Sequence, residues 1–350
     1  MPVSGCFLVA VGGVGRSCYM RIDEAADEAD YVLLRPSGPI QSTRKSRSIL
    51  MAGPHSDPAK RALSQAMEAA RRAGLDATGA KVLRVRASIH VELPRADVVV
   101  RVERPGSQEL AWRQVAVARA LAALDAPVAR LVRPDIQPLL IDDGAVTLWR
   151  RLRSVATPTL VAVGSAVRAI HEATARSLPE NVLAIDPFGQ VRTCLDAPSL
   201  WSGSAAIREL LVRADNLSLM WCEKTRDDPL GRVVVHGDPH PDNAVVSEGG
   251  ELVLVDLEDS GVGPASWDFV PLAVGVERYG LPAEDFDRFA AGYGAEPGAW
   301  PGLPLMCRVY ELLVTSWAIS CSADSPAMAR EAEVRISGVL EGDPTRWTLL

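Results

Sequence analysis

No apolar run in this chain approaches the roughly 20 residues that a bilayer-crossing helix needs. The opening "MPVSGCFLVAVGGVGRS" also lacks a basic segment ahead of its short apolar stretch. Neither a membrane span nor a secretory leader is indicated, and a cytoplasmic protein with no membrane partner is expected. Cysteine is sparse and unpatterned: Cys6, Cys18, Cys194, Cys222, Cys307 and Cys321 contain no CxxC pair, and Cys307 and Cys321 fall inside apolar helical patterns. This disfavours a disulfide scaffold and a zinc module. Internal repeats and low-complexity tracts are missing as well.

What is present is an ordinary globular balance, 48% apolar and 23% charged, too apolar for a disordered chain. At 350 residues the chain has room for two sub-domains. Charge divides unevenly: residues 1–150 hold 21 Lys and Arg against 16 Asp and Glu, whereas residues 151–350 hold 16 against 28. An acidic C-terminal half disfavours nucleic acid as a partner. Glu284, Asp285, Asp287 and Glu311 lie on amphipathic patterns and read first as the wet faces of helices.

Residues 1–50 differ from the rest and read as an N-terminal extension of poor order. Gly12, Gly13 and Gly15 invite comparison with a phosphate loop, but no GK[ST] follows. In residues 51–150, "SDPAKRALSQAMEAARRAGL" reads as a helix with Asp57 at its start, Pro58 in its first turn and Leu63, Met67 and Ala70 on one face. "KVLRVRAS" and "ADVVVRVERP" read as antiparallel strands separated by "IHVELPR". "SQELAWRQVAVARALAAL" is a second helix, and "VTLWRRL" a further strand. Residues 151–350 are mostly helical, interrupted by one β hairpin. Strands followed by helices predict an α+β molecule of two lobes with a crevice between them.

That hairpin is "HGDPHPDNAVVSEGGELVLVDLEDSG", residues 236–261. A two-residue turn at Gly249 and Gly250 would set Asn243 directly opposite Asp256. An amide oxygen and a carboxylate placed so can share one Mg²⁺, which takes few protein ligands and completes its shell with water and phosphate. Glu258, two residues beyond Asp256, is a further candidate ligand. Asp238 follows the strand "RVVVH" through Gly237 and is placed to accept the proton of an attacking hydroxyl. His236 is expected to fix that loop. Read singly, each residue also suits an inert polar hairpin.

"HGDPHPDN" followed by "LVDLEDSGVGPASWDF" closely resembles the aminoglycoside phosphotransferase and choline kinase-like family, a branch of the protein-kinase-like fold. The resemblance implies a bilobal molecule: a small N-terminal antiparallel sheet with a helix, then a larger, mainly helical lobe bearing the catalytic hairpin. It implies ATP and Mg²⁺ as cofactors, Asp238 and His236 as catalytic-loop residues, and Asn243 and Asp256 as metal ligands. Asp268 is expected to cap a helix and brace the loop, and His171 to be structural. "VTLWRRL" resembles the strand entering the inter-lobe hinge, which puts backbone groups of Trp149, Arg150 and Arg151 near adenine.

Arg101 stands where the family's phosphate-holding lysine would be. An arginine can fork onto two phosphate oxygens. The helix partner, usually glutamate, is replaced by Gln114, an amide unable to make the ion pair, and Glu103 reads as too close along the strand to serve without a bend, so either Gln114 hydrogen bonds Arg101 or the pairing is lost. "RASIHVEL" lacks the glycines of a phosphate-covering loop, leaving Ser88 and His90 as candidate donors. The expected activity is transfer of the γ-phosphate of MgATP to a hydroxyl of a small molecule such as an aminoglycoside, an amino alcohol or a sugar. The alternative is a degraded kinase that binds nucleotide or a partner without turnover.

Overall fold

A computed structural model describes residues 8–13, 16–21, 57–85, 88–295, 300–323 and 325–348. The expected disorder of residues 1–50 falls largely outside these. Within that stretch β1 (Leu8–Gly13) and β2 (Arg16–Arg21) pair antiparallel, so Gly12 and Gly13 belong to a hairpin strand and not to a loop before a helix.

The N-terminal lobe opens with α1 (Asp57–Ala73), which packs on a sheet of β3 (Lys81–Val85), β4 (Ile89–Leu93), β5 (Val98–Val102), β6 (Leu139–Ile141) and β7 (Gly144–Arg150). α2 (Gln108–Ala123) lies between β5 and β6 in sequence. The sheet order is β3-β4-β5-β7-β6, antiparallel throughout. "IHVEL" is therefore a full strand paired on both sides, not a connector. The face of α1 holds as expected at Leu63 and Ala70 and departs at Met67. Ala59, Ala62, Ala66, Ala69, Ala70 and Ala73 are buried while Met67 is half exposed. Small side chains let the helix lie close to Val91, Leu93, Val100 and Leu148, where a longer residue would hold it away.

The C-terminal lobe comprises α3 (Leu160–Ala175), α4 (Pro187–Asp196), α5 (Ala205–Thr225), β8 (Arg232–Val235), β9 (Ala244–Val246), β10 (Leu252–Leu254), β11 (Gly261–Pro264), α6 (Val270–Val274), α7 (Ala283–Tyr293), α8 (Leu303–Ser320) and α9 (Pro326–Glu341). Three elements escaped the sequence pattern: α4, β11 and the short α6. α4 starts at Asp186, whose side chain accepts the Gly189 N–H, and β11 pairs antiparallel with β8. α2 joins the lobes: its Val117, Ala118 and Leu121 share a core with Val163 and Ile170 of α3, Leu254 of β10, Phe269 and Phe289.

The hairpin register is off by one residue from the expected pairing. Leu252 faces Val246 and Leu254 faces Ala244. The Ser247 N–H bonds the Glu251 carbonyl and the Gly250 N–H bonds the Ser247 carbonyl, both at 2.8 Å. This is a three-residue connection, a tight turn closed by one left-handed residue, Gly250 at φ +79°. Consequently the Asn243 carbonyl accepts from the Val255 N–H at 2.9 Å, and Asn243 is not directly opposite Asp256. Asp256 itself sits at φ 64°, which turns the chain out of the strand.

Candidate active site

β8 delivers the chain into the loop beginning at His236. His236 is buried; its Nε2–H donates to the Val255 carbonyl at 3.0 Å and its Nδ1 accepts the Asp238 N–H at 3.4 Å. The imidazole thereby ties the loop to the end of β10. Asp268, fully buried, holds the same loop from below. One carboxylate oxygen accepts the His236 N–H at 2.9 Å and the other the Gly237 N–H at 2.7 Å. His171 donates Nε2–H to Asp268 at 2.9 Å, and its Nδ1 lies 2.9 Å from the Tyr293 hydroxyl. Asp268 braces the loop as expected, but the helix cap expected of it is not formed: it lies inside the short 3₁₀ turn Ala265–Phe269, which shows no side-chain cap.

Gly237 adopts φ +92°, and an added Cβ would meet the Asp259 carbonyl oxygen at 2.4 Å. Both the backbone conformation and the space exclude a side chain. Gly237→Ala should therefore cost about 2 kcal/mol or more in chemical denaturation. An unchanged unfolding midpoint would show that the loop relaxes freely.

Asp238, at the loop's open end, is about one third exposed. Its Oδ2 accepts from Asn243 Nδ2 at 3.1 Å and from His240 Nε2 at 3.2 Å, and its Oδ1 lies 3.4 Å from the Tyr310 hydroxyl. Burial alone would raise its pKa, but the bond from His240 and the nearby imidazoles hold it below the usual carboxylate value. His240 answers in kind: burial would lower it, yet the bond to Asp238 raises it above the ordinary imidazole value. Tyr310 is pushed well above its ordinary value by burial, with Asp238's charge adding to it, so its hydroxyl stays protonated. Sequence reasoning gave no part to His240 or Tyr310. His240 was visible inside the quoted motif, but Tyr310 arrives from α8, 72 residues away, with no local signal.

Beside this loop the two lobes are tied by one guanidinium. Arg101, on β5 and buried, donates Nε–H to Glu103 at 2.7 Å, Nη1–H to Asp256 at 2.6 Å and Nη2–H to Glu258 in a short contact. Glu103 thus does serve, contrary to the sequence reading. Period two puts residues 101 and 103 on the same face of a strand, so no bend is needed. Gln114 bonds Glu103 and not Arg101, Nε2 to Oε1 at 3.3 Å. His90 faces Arg101 across β4 and β5, and Ser88 Oγ lies 3.2 Å from its Nε2. Burial and the charge on Arg101 push His90 down to about 4, so it adds no positive charge at neutral pH. Only three residues, 86–88, join β3 to β4 at this point, of which Arg86 and Ala87 lie outside the described residues.

The acidic groups crowd. Burial, with Asp256 and Asp259 nearby and Arg101 opposing, pushes Glu258 up to about 8. Burial and the charges of Asp238 and Asp256 push Asp259 up to about 6, although Gln190 donates to it at 2.9 Å. Such a site favours added positive charge. Among the described residues no group of three or more His, Cys, Asp and Glu is arranged to hold a metal ion. A divalent cation would have Asp256 and Glu258 here, hard oxygen donors gathered around one guanidinium, and would draw its other ligands from an amide such as Asn243, from phosphate and from water. The donor set fits Mg²⁺.

The sign of the Glu258 shift makes a stability prediction. Its folded pKa of about 8 exceeds the ordinary 4.5, so the stability it contributes is present below the ordinary value and is lost as pH rises through about 8. Chelator-treated protein should lose about 5 °C of melting temperature between about pH 6.5 and pH 8.5, with Mg²⁺ restoring more at the higher pH. A melting temperature that rises across this window would refute the crowding.

Trp149, Arg150 and Arg151 end β7. The Arg150 N–H donates to the Arg130 carbonyl at 2.8 Å and the Arg151 N–H to the Asp97 carbonyl at 3.0 Å. The Trp149 indole donates to Thr147 Oγ1 at 2.8 Å, and the Arg151 side chain pairs with Glu92. Both of these backbone donors are thus already engaged within the protein.

A small antiparallel sheet, a mainly helical lobe and an acid-bearing loop between them make up a protein-kinase-like fold. The family model described as the phosphotransferase enzyme family (APH) matches residues 83–306, and the chain belongs to that family. Among solved structures with the same fold is a microcompartment-associated aminopropanol kinase, 20% identical with a TM-score of 0.58, the match covering 81% of this chain and 100% of that one. The choline kinase LicA from Streptococcus pneumoniae is 14% identical with a TM-score of 0.53, covering 79% and 99%. Spectinomycin phosphotransferase in complex with ADP and spectinomycin is 13% identical with a TM-score of 0.51, covering 79% and 93%. No curated protein sequence matches the chain. Among the described residues no helix is long and apolar enough to cross a membrane.

Proposed function

We propose that the protein is an ATP-dependent small-molecule kinase that moves the γ-phosphate of MgATP to a hydroxyl group. The observation that carries this reading is Asp238: an ionised, part-exposed carboxylate on a doubly braced loop, with one oxygen held by Asn243 and His240 and the other 3.4 Å from the Tyr310 hydroxyl. That second oxygen is available to an acceptor hydroxyl, which Asp238 orients and whose proton it takes. Asp256 and Glu258, with Asn243, hold Mg²⁺. Once bound, the ion neutralises phosphate charge that builds during transfer. Arg101 steers phosphate with the N–H groups left beyond its carboxylate bonds, helped by Ser88 and His90. The segment Trp149–Arg151 borders adenine. Support for nucleotide use comes from structures of like fold: spectinomycin phosphotransferase was solved with ADP and LicA with AMP.

Amino alcohols, aminoglycosides and sugars are the acceptor classes to try first. Of the acidic helix residues, Glu311 and Asp285 are poor candidates for acceptor contacts, since Glu311 is paired with Arg278 at 2.5 Å and Asp285 with Arg288 at 2.7 Å. The test is nucleotide consumption with MgATP across a panel of hydroxyl compounds, alongside a thermal titration with MgATP. A raised melting temperature with turnover of one acceptor class is the expected result. The rival reading, a binder without turnover, draws on Arg101 being closed onto the two carboxylates; a thermal shift with no turnover on any acceptor would favour it.

A further inference from the structure

Buried arginines need a fixed partner, because a guanidinium with several rotatable bonds otherwise samples many orientations and an unpaired buried charge is costly. For Arg101 the fixed partner must be distinguished from the transient ones. Asp256 and Glu258 reach it from the opposite lobe and, as metal ligands in the proposed reading, would exchange it for a cation. Glu103 is different. It lies on the same face of the same strand, is 4% exposed, and bonds Nε, leaving the two terminal nitrogens directed at the other lobe. Its backbone continues the sheet, with the Glu103 N–H donating to the Ala145 carbonyl at 2.9 Å. Gln114, 1% exposed on α2, touches Glu103 alone of this pair.

We propose that Glu103 is the positioning residue for Arg101: a strand-borne counter-ion that fixes the plane of the guanidinium and makes its orientation independent of where α2 lies. A helix-borne glutamate would couple phosphate steering to helix position through an ion pair. Here a displacement of α2 breaks the amide bond from Gln114 to Glu103, and the ion pair between β5 and the residue that follows it is retained. The phosphate-steering part of this inference rests on the proposed function, and the geometric part does not.

The experiment compares full-length parent, Glu103→Gln, Gln114→Leu and the charge-relocated double variant Glu103→Gln with Gln114→Glu. MgADP is the titrant, with affinity measured calorimetrically, and the Arg101 Nε–H proton resonance is followed by NMR. Glu103→Gln should weaken MgADP about tenfold or more, the loss of one charge-assisted bond. Gln114→Leu should stay within about threefold of the parent. The double variant should recover only part of the affinity, since the side chain at 114 reaches position 103 and not Arg101, so its charge acts on the guanidinium without the direct bond. A purely structural role for Glu103 would not give that rescue. The Nε–H resonance should exchange slowly in the parent, more rapidly in Glu103→Gln, and at an intermediate rate in the double variant.

Parent-like affinity with a preserved resonance in Glu103→Gln would overturn the proposal, as would a loss in Gln114→Leu equal to that in Glu103→Gln. If the parent itself ignores MgADP, the proposed function fails while the resonance still decides the role of Glu103. Should Glu103→Gln not fold, Glu103→Asp replaces it: the charge is kept at shorter reach, and an intermediate loss is expected.

Discussion

Asp238→Asn is expected to lower phosphate transfer by about 10²- to 10⁴-fold while leaving the fold intact, the range typical of losing a general base. The substitution keeps size and shape. The bonds from Asn243 and His240 to Oδ2 can still be accepted by an amide oxygen. What disappears is the negative charge on the oxygen that faces the Tyr310 hydroxyl. The same loss relieves a neighbour, because Asp238 is one of the charges that hold Asp259 up at about 6. Two outcomes should therefore travel together: a collapse in turnover, read as ATP consumption with the best acceptor, and a melting temperature close to that of the parent, the relief at Asp259 offsetting the lost attraction to His240. Turnover equal to the parent would remove Asp238 from the chemistry. A collapse in both turnover and melting temperature would instead make its role structural.

The parts of the site that were legible in the sequence are those in which type and spacing are local. "HGDPHPDN" places His236, Asp238 and Asn243 on one loop because eight consecutive residues can do so without help from elsewhere. The double bond from Asp268 to that loop was anticipated only as bracing, and its geometry needed the fold. The hairpin register was misjudged for a definable reason. Two adjacent glycines suit a two-residue turn, yet one left-handed glycine at Gly250 within a three-residue turn satisfies the backbone equally, and the two alternatives differ by one position.

Other misses were of a different kind. β11, "GVGP", has no side-chain alternation to read, since its role is to lay backbone against β8. The alanine face of α1 is invisible to a search for large apolar residues. Glu103 was dismissed although the strand period favoured it, and its true setting emerged only when Asp256 and Glu258 were brought across from residues more than 150 positions away.

Asp268→Ala should cost the protein far more than any exposed carboxylate would. The side chain is fully buried and accepts two backbone N–H groups and one imidazole N–H, so truncation leaves the His236 and Gly237 amides and His171 Nε2 without partners. Each stranded buried donor costs about 1–3 kcal/mol, offset in part because a buried carboxylate no longer has to be kept from water. A net loss of about 3–5 kcal/mol follows, the range for breaking a buried charged partner, or about 10 °C in melting temperature. His171→Ala removes one of the three bonds and leaves the backbone pair in place, so its effect should be clearly smaller. The two variants should also separate in turnover. Asp268→Ala frees the turn that aims Asp238 and should depress the rate even well below its melting point, whereas His171→Ala should retain most of it. Equal and small melting shifts for the two variants would mean that the loop is held by His236 and its bond to Val255 alone, and that Asp268 merely fills space beneath it.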